Sequence, residues 1–126
     1  MTRPCIIHNG ATTEYYFEEG CFITEWSNSF LDEQASIARA RVEPGRTTRL
    51  HRLTGVTERY VILAGTGRAE IGDLAPTPIA VGDIVLIPPG TPQRITNTGA
   101  TELIFLAICT PRFTRHVYED IDTGTS

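Results

Sequence analysis

Apolar positions along this chain come in short runs rich in Val, Ile, Thr, Tyr and Phe, interrupted at close intervals by Gly, Pro, Asn and Asp. Such runs predict strands at Glu14–Phe17, Cys21–Trp26, Ala35–Val42, Thr47–Leu53, Glu58–Leu63, Gly67–Ile71, Asp83–Ile87, Gln93–Asn97 and Leu103–Thr110. Turn signals separate them: Glu43-Pro44-Gly45, Gly65-Thr66-Gly67, Pro88-Pro89-Gly90 and Asn97-Thr98-Gly99. No stretch keeps a 3.6-residue apolar period long enough for a substantial helix. The tail Phe113–Asp122 has room for one short turn, and Thr123–Ser126 is polar and expected to fray. The pattern predicts an all-β sandwich or barrel. Glu58–Leu63 and Leu103–Cys109 are apolar on both faces, so each needs cover outside the barrel as well as inside. A second sheet or a partner subunit would supply it, and a homodimer is expected, with the N-terminal strands or Leu103–Cys109 at the contact.

The chain has 126 residues, which suits a single domain over 1–126 with one core. Within it, 1–34 form an N-terminal arm and strands, 35–110 the barrel core, and 111–126 a tail. No internal repeat is visible. All 11 basic residues are Arg and none is Lys, which excludes a lysine Schiff base, a P-loop lysine and a pyridoxal-type enzyme. Against 15 acidic residues the net charge is −4, with no cationic surplus to displace counterions from nucleic acid. The longest apolar run, Leu103–Cys109, is far short of the ~20 residues a bilayer requires, and Met1–Gly10 has no signal-like apolar core. Neither a nucleic-acid nor a membrane partner is expected. Cys5, Cys21 and Cys109 are odd in number and widely spaced, as for reduced thiols in a cytoplasmic protein. Cys109 reads as a small buried hydrophobe, and Cys21, following Glu18-Glu19-Gly20, has a path to a barrel mouth.

Two segments carry a regular skeleton. The first places Gly45, His51, Leu53, Glu58 and Gly65; the second places Gly82, Pro88, Gly90, Gln93 and Asn97, with Thr66–Val81 between them. In its glycines, its proline and Glu58 the chain resembles the cupin superfamily, of the small single-barrel bacterial type. The resemblance implies a double-stranded β-helix, a jelly-roll-like barrel. It also implies a divalent metal (Zn, Fe, Mn or Ni) in the mouth, held by two histidines and a glutamate from the first motif and a histidine from the second. Carried over by position, His51 and Glu58 stand where ligands are expected, Leu53 replaces the second histidine and Gln93 the third. A His51, Glu58 and Gln93 set would hold a metal weakly or not at all, since imidazole and carboxylate supply most of the donor strength. No organic cofactor is implied.

Alternation along the strands puts Arg49 with His51, and Glu58 with Tyr60, on shared faces. In the cupin register Arg49, His51, Glu58, Tyr60 and Gln93 would all enter the lumen. Arg49 would then hold an anionic small molecule, while His51 and Glu58 move protons and Tyr60 assists. The competing reading is an internal ion pair between Arg49 and Glu58 that merely shapes the barrel. Three functions stay open: an isomerase, dehydratase, cyclase or lyase; a non-catalytic barrel that captures a small ligand; and an interaction module with a filled lumen. One histidine at the site argues against oxygen chemistry at iron, which needs two histidines and a carboxylate. His8 and His116 read as surface residues.

Overall fold

A computed structural model describes residues 3–10 and 12–124. Among the described residues eleven strands run β1 (Tyr15–Phe17), β2 (Cys21–Ser27), β3 (Ser36–Val42), β4 (His51–Leu53), β5 (Thr57–Ala64), β6 (Thr66–Ile71), β7 (Thr77–Ala80), β8 (Ile84–Ile87), β9 (Gln93–Asn97), β10 (Leu103–Thr110) and β11 (Tyr118–Asp120). One 3₁₀ turn, Arg115–Val117, precedes β11, and no α-helix occurs among the described residues. Among the described residues no helix is long and apolar enough to cross a membrane. Met1, Thr2, Ala11 and the polar end at Thr125 and Ser126 lie outside the described residues.

The strands form two sheets, ordered β1-β2-β3-β10-β5-β8 and β11-β4-β9-β6-β7, with antiparallel neighbours throughout. Together they make the double-stranded β-helix. Its core is filled by inward residues such as Val42, Ile62, Ile87, Ile95, Leu103 and Phe105, each at most 1% exposed. Asn97 ties the sheets together: its Nδ2 donates to the carbonyls of Val42 and Thr101, and its Oδ1 accepts from the Gly99 N–H. Gly65 shows why the skeleton needs glycine there. Its φ is +85°, and a Cβ would lie 2.6 Å from the Glu102 carbonyl oxygen.

Two strands were not expected. β7 contains Pro78, which argues against a central strand, yet β7 is a sheet edge, where a missing N–H costs no ladder bond. β11 reads as a charged tail. Its Glu119 and Asp120 instead pair with Arg52 and Arg49 while the backbone docks on β4. The expected strand Thr47–Leu53 shrinks to His51–Leu53, preceded by an isolated bridge from Thr47 to Thr96. On β5 and β8 the outer face is left open: Leu63 is 43%, Ile84 61% and Leu86 59% exposed.

Candidate functional site

The first carboxyl of the site comes from β5, whose inward residues are Glu58, Tyr60 and Ile62. Cys109 of β10 lies directly opposite Glu58 in the same sheet. The facing sheet presents His51 on β4, paired in register with Gln93 on β9. Gln93 bridges the two sheets. Tyr60 Oη donates to Gln93 Oε1 at 2.6 Å, and Gln93 Nε2 donates to Glu58 Oε1 at 2.9 Å. The amide is therefore oriented by the hydroxyl, so that an N–H rather than an oxygen meets the carboxylate. The Cys109 thiol donates to the other Glu58 oxygen at 3.6 Å.

A second carboxyl was missed by the sequence reading. Glu19 occupies the tip of the β1–β2 hairpin, where Phe17 pairs with Cys21. Gly20, at φ +104°, closes the turn with an N–H to the Phe17 carbonyl. The Arg49 N–H donates to the Glu19 carbonyl and fastens the tip to the segment that leads into β4. The Glu19 side chain turns inward, with Oε1 3.4 Å from His51 Nε2 and Oε2 3.8 Å from Cys21 Sγ. A charged residue on a hairpin tip normally reads as solvent-facing. The adjacent Gly20 and the inward Cys21 were the available signals.

His51 Nδ1 lies 2.7 Å from the Arg49 carbonyl, which can only accept, so Nδ1 carries a proton. Nε2 is thereby the unprotonated nitrogen, and it lies 3.4 Å from a Glu19 carboxyl oxygen. Burial holds the His51 imidazole below its usual range, outweighing the Arg49 carbonyl and the Glu58 charge, which favour protonation. Burial pushes Glu19 up to about 7. It pushes Glu58 up to about 7 as well, reinforced by the neighbouring Glu19 charge. The thiols of Cys21 and Cys109 are raised by burial and by these carboxylates, so they serve as neutral donors. Tyr118 stacks on His51 with ring centroids 5.1 Å apart, and its hydroxyl is buried without a hydrogen-bond partner.

Glu19 and Glu58 open onto a cavity of about 60 Å³, with walls that include Phe17, Tyr60, Phe105 and Phe113. The lumen is therefore not filled. His51 and Gln93 do not line this cavity; they stand behind the two carboxyls. Arg49 departs from the expected arrangement. Its side chain is 40% exposed and donates to Asp120 at 2.7 Å, outside the lumen. The reason is local: residues before His51 leave the strand, so two-residue alternation does not carry back to 49. Neither the lumenal anion-binding arginine nor an ion pair between Arg49 and Glu58 is present.

The implied metal set fares no better. Leu53 packs into a small apolar cluster with Val56 and Cys109. The Gln93 oxygen already accepts from Tyr60. Among the described residues no three His, Cys, Asp or Glu side chains gather so as to hold an ion. A single imidazole beside two carboxyls that burial raises to about 7 does not fit a tightly held divalent metal.

The Cupin domain family matches residues 38–109. Over 71 residues the chain is 38% identical to an oxalate-binding protein of Thermotoga maritima, a match that spans 56% of this chain and 58% of that one. Over 110 residues it is 31% identical to the uncharacterized protein MJ1618 of Methanocaldococcus jannaschii, covering 86% and 87% of the two chains. Among solved structures, the Streptomyces nucleoside dehydratase Pac13 superposes with a TM-score of 0.78 at 15% identity, over 95% of this chain and 92% of that one. Pac13 variants have also been solved with uridine.

Proposed function

This chain belongs to the cupin family, and from that premise we propose that it is a small-molecule enzyme that moves protons without a metal. The observation that carries the reading is the pair of buried carboxyls, Glu19 and Glu58, raised to about 7 on one apolar cavity. Near neutral pH such a pair holds a base and an acid together. Glu58 suits the base, because the Gln93 amide and the Cys109 thiol both donate to it. Glu19 suits the acid, because burial holds its carboxyl up to about 7 and its hydrogen-bonding neighbours offer less to the ionised form than those of Glu58. In an elimination, Glu58 takes a proton from carbon and Glu19 gives one to the departing hydroxyl, releasing water. An isomerisation uses the same two transfers without a leaving group. Tyr60 spends its hydroxyl on Gln93 and acts as a positioning residue. The dehydratase activity of the structural neighbour Pac13 is in keeping with this class.

The likeness to an oxalate-binding protein favours a second reading, a barrel that captures a ligand without converting it. Incubation with a panel of small hydroxy-carbonyl and amino-alcohol compounds in D₂O separates the two. Mass spectrometry should show loss of water or uptake of deuterium, reduced about 100-fold or more in Glu58→Gln. Binding of panel members with neither exchange nor conversion would establish the capture reading instead. We also propose a homodimer that covers Leu63, Ile84 and Leu86. A monomeric mass by light scattering at micromolar concentration would refute it.

A further inference from the structure

We infer that the lumen takes a small organic cation, a protonated amine on a short apolar body. This rests on the proposal that the cavity is a ligand site and specifies what the site selects.

The sign of the lining is the first argument. Glu19, Glu25 and Glu58 reach the cavity from three different elements, and no Arg or His side chain lines it among the described residues. Arginines that approach from outside are engaged with other groups. Arg112 donates to Asn28 Oδ1 and pairs with Glu33. Arg115 pairs with Glu18 and lies over the Phe17 ring, 5.2 Å from its centroid. Arg49 is drawn off to Asp120. An anion in the cavity would therefore meet carboxyls with no counter-charge, and both buried acids would have to be protonated to admit it. An ammonium group meets two carboxyls, one of which can ionise to receive it.

The walls supply the second argument. Tyr15, Phe17, Tyr60, Phe105 and Phe113 line the same space, and aromatic faces attract desolvated cations. The alkyl part would lie against Ala38, Ala40 and Ala107. Size gives the third. At roughly 10–15 Å³ per water centre, a cavity of about 60 Å³ suits a buried group of about four to six heavy atoms. The selected ligand is thus opposite in charge to the oxalate in the name of the Thermotoga maritima relative.

The inference makes uptake depend on pH. The groups facing the two carboxyls are His51 and Cys21 at Glu19, Gln93 and Cys109 at Glu58, and the nearby Tyr60 and Tyr118. Both thiols and both phenols stay neutral, raised by burial. Ammonium binding therefore draws a proton from Glu19 or Glu58, and affinity rises as pH passes through about 7.

The test uses three probes of similar shape, isobutylamine, isobutanol and isobutyrate, titrated into ¹⁵N-labelled full-length protein at pH 7.5 and fixed ionic strength. Isobutylammonium should bind about ten-fold tighter than isobutanol. It should shift the amides of Ala38, Glu58 and Cys109 and tighten further between pH 6 and pH 8, while isobutyrate binds weakest. The inference is overturned by isobutyrate binding as well as the amine, by isobutanol matching it, or by an amine that leaves the lumen resonances unmoved. The ammonium preference without turnover of any amine would sink only the enzymatic reading. Carboxyl-dependent turnover of anions would sink only this one.

Discussion

Replacing Glu58 by Gln keeps the shape of the side chain and removes its titration, which allows the cost of the buried carboxyl to be read directly. Its folded pKa is raised from 4.5 to about 7. A carboxyl raised in this way binds more protons folded than unfolded between those two values. The stability it contributes is therefore complete below the unfolded value and is lost as pH rises through the folded one. At about 1.4 kcal/mol per pH unit the whole window is worth about 3 kcal/mol. Between pH 5 and pH 8 the share is about 2.5 kcal/mol, because the unfolded carboxyl is already largely ionised at pH 5. Glu58 is 8% exposed, so solvent screening removes little of this. His51 has the opposite sign: its lowered pKa adds stability above its ordinary value, and it titrates in both proteins. The informative quantity is therefore a difference of differences. Urea unfolding at pH 5 and pH 8 should show wild-type stability falling by about 2.5 kcal/mol more than that of Glu58→Gln. In melting temperature the gap is roughly 8 °C for a chain of this length. Parallel pH profiles for the two proteins would refute the assignment of a raised, buried carboxyl at 58.

Tyr60→Phe strands the buried Gln93 oxygen and should cost about 1–3 kcal/mol in urea unfolding, with a smaller loss of turnover than Glu58→Gln. Leu53→Ala empties the place a metal-binding cupin would give to a histidine and should cost about 2–5 kcal/mol, since Leu53 is 3% exposed against Val56 and Cys109. Arg49→Ala removes an exposed pair with Asp120, so melting temperature and lumenal affinity should match wild type; a large loss of affinity would return Arg49 to the site. Exhaustive treatment with a chelator should leave the melting temperature and the binding of isobutylammonium unchanged, and a drop in either would show a metal that the donor set does not predict.

Glycine and proline spacing carried most of the architecture, because those residues mark positions where a side chain or an N–H cannot be accommodated. Gly65 against the Glu102 carbonyl is one such place. The same spacing placed Glu58, Gln93 and His51 near one another, since each sits on a regular strand with a fixed inward face. Arg49 was misjudged because alternation was carried across backbone that leaves the strand. Glu19 is hard to read from sequence for a different reason. Its inward turn depends on Arg49, thirty positions along the chain, catching a hairpin carbonyl. Such a long-range contact leaves only the faint local signals of Gly20 and Cys21. Strand β11 escaped notice because its carboxylates find guanidinium partners on residues 49 and 52, which a polar tail does not announce.

That hairpin tip joins a backbone contact to a buried acid. The backbone held by the Arg49 amide is the same backbone that carries the Glu19 carboxyl to His51. One backbone hydrogen bond thus fixes where a buried acid stands, and losing the Arg49 amide contact would free the turn and the carboxyl together.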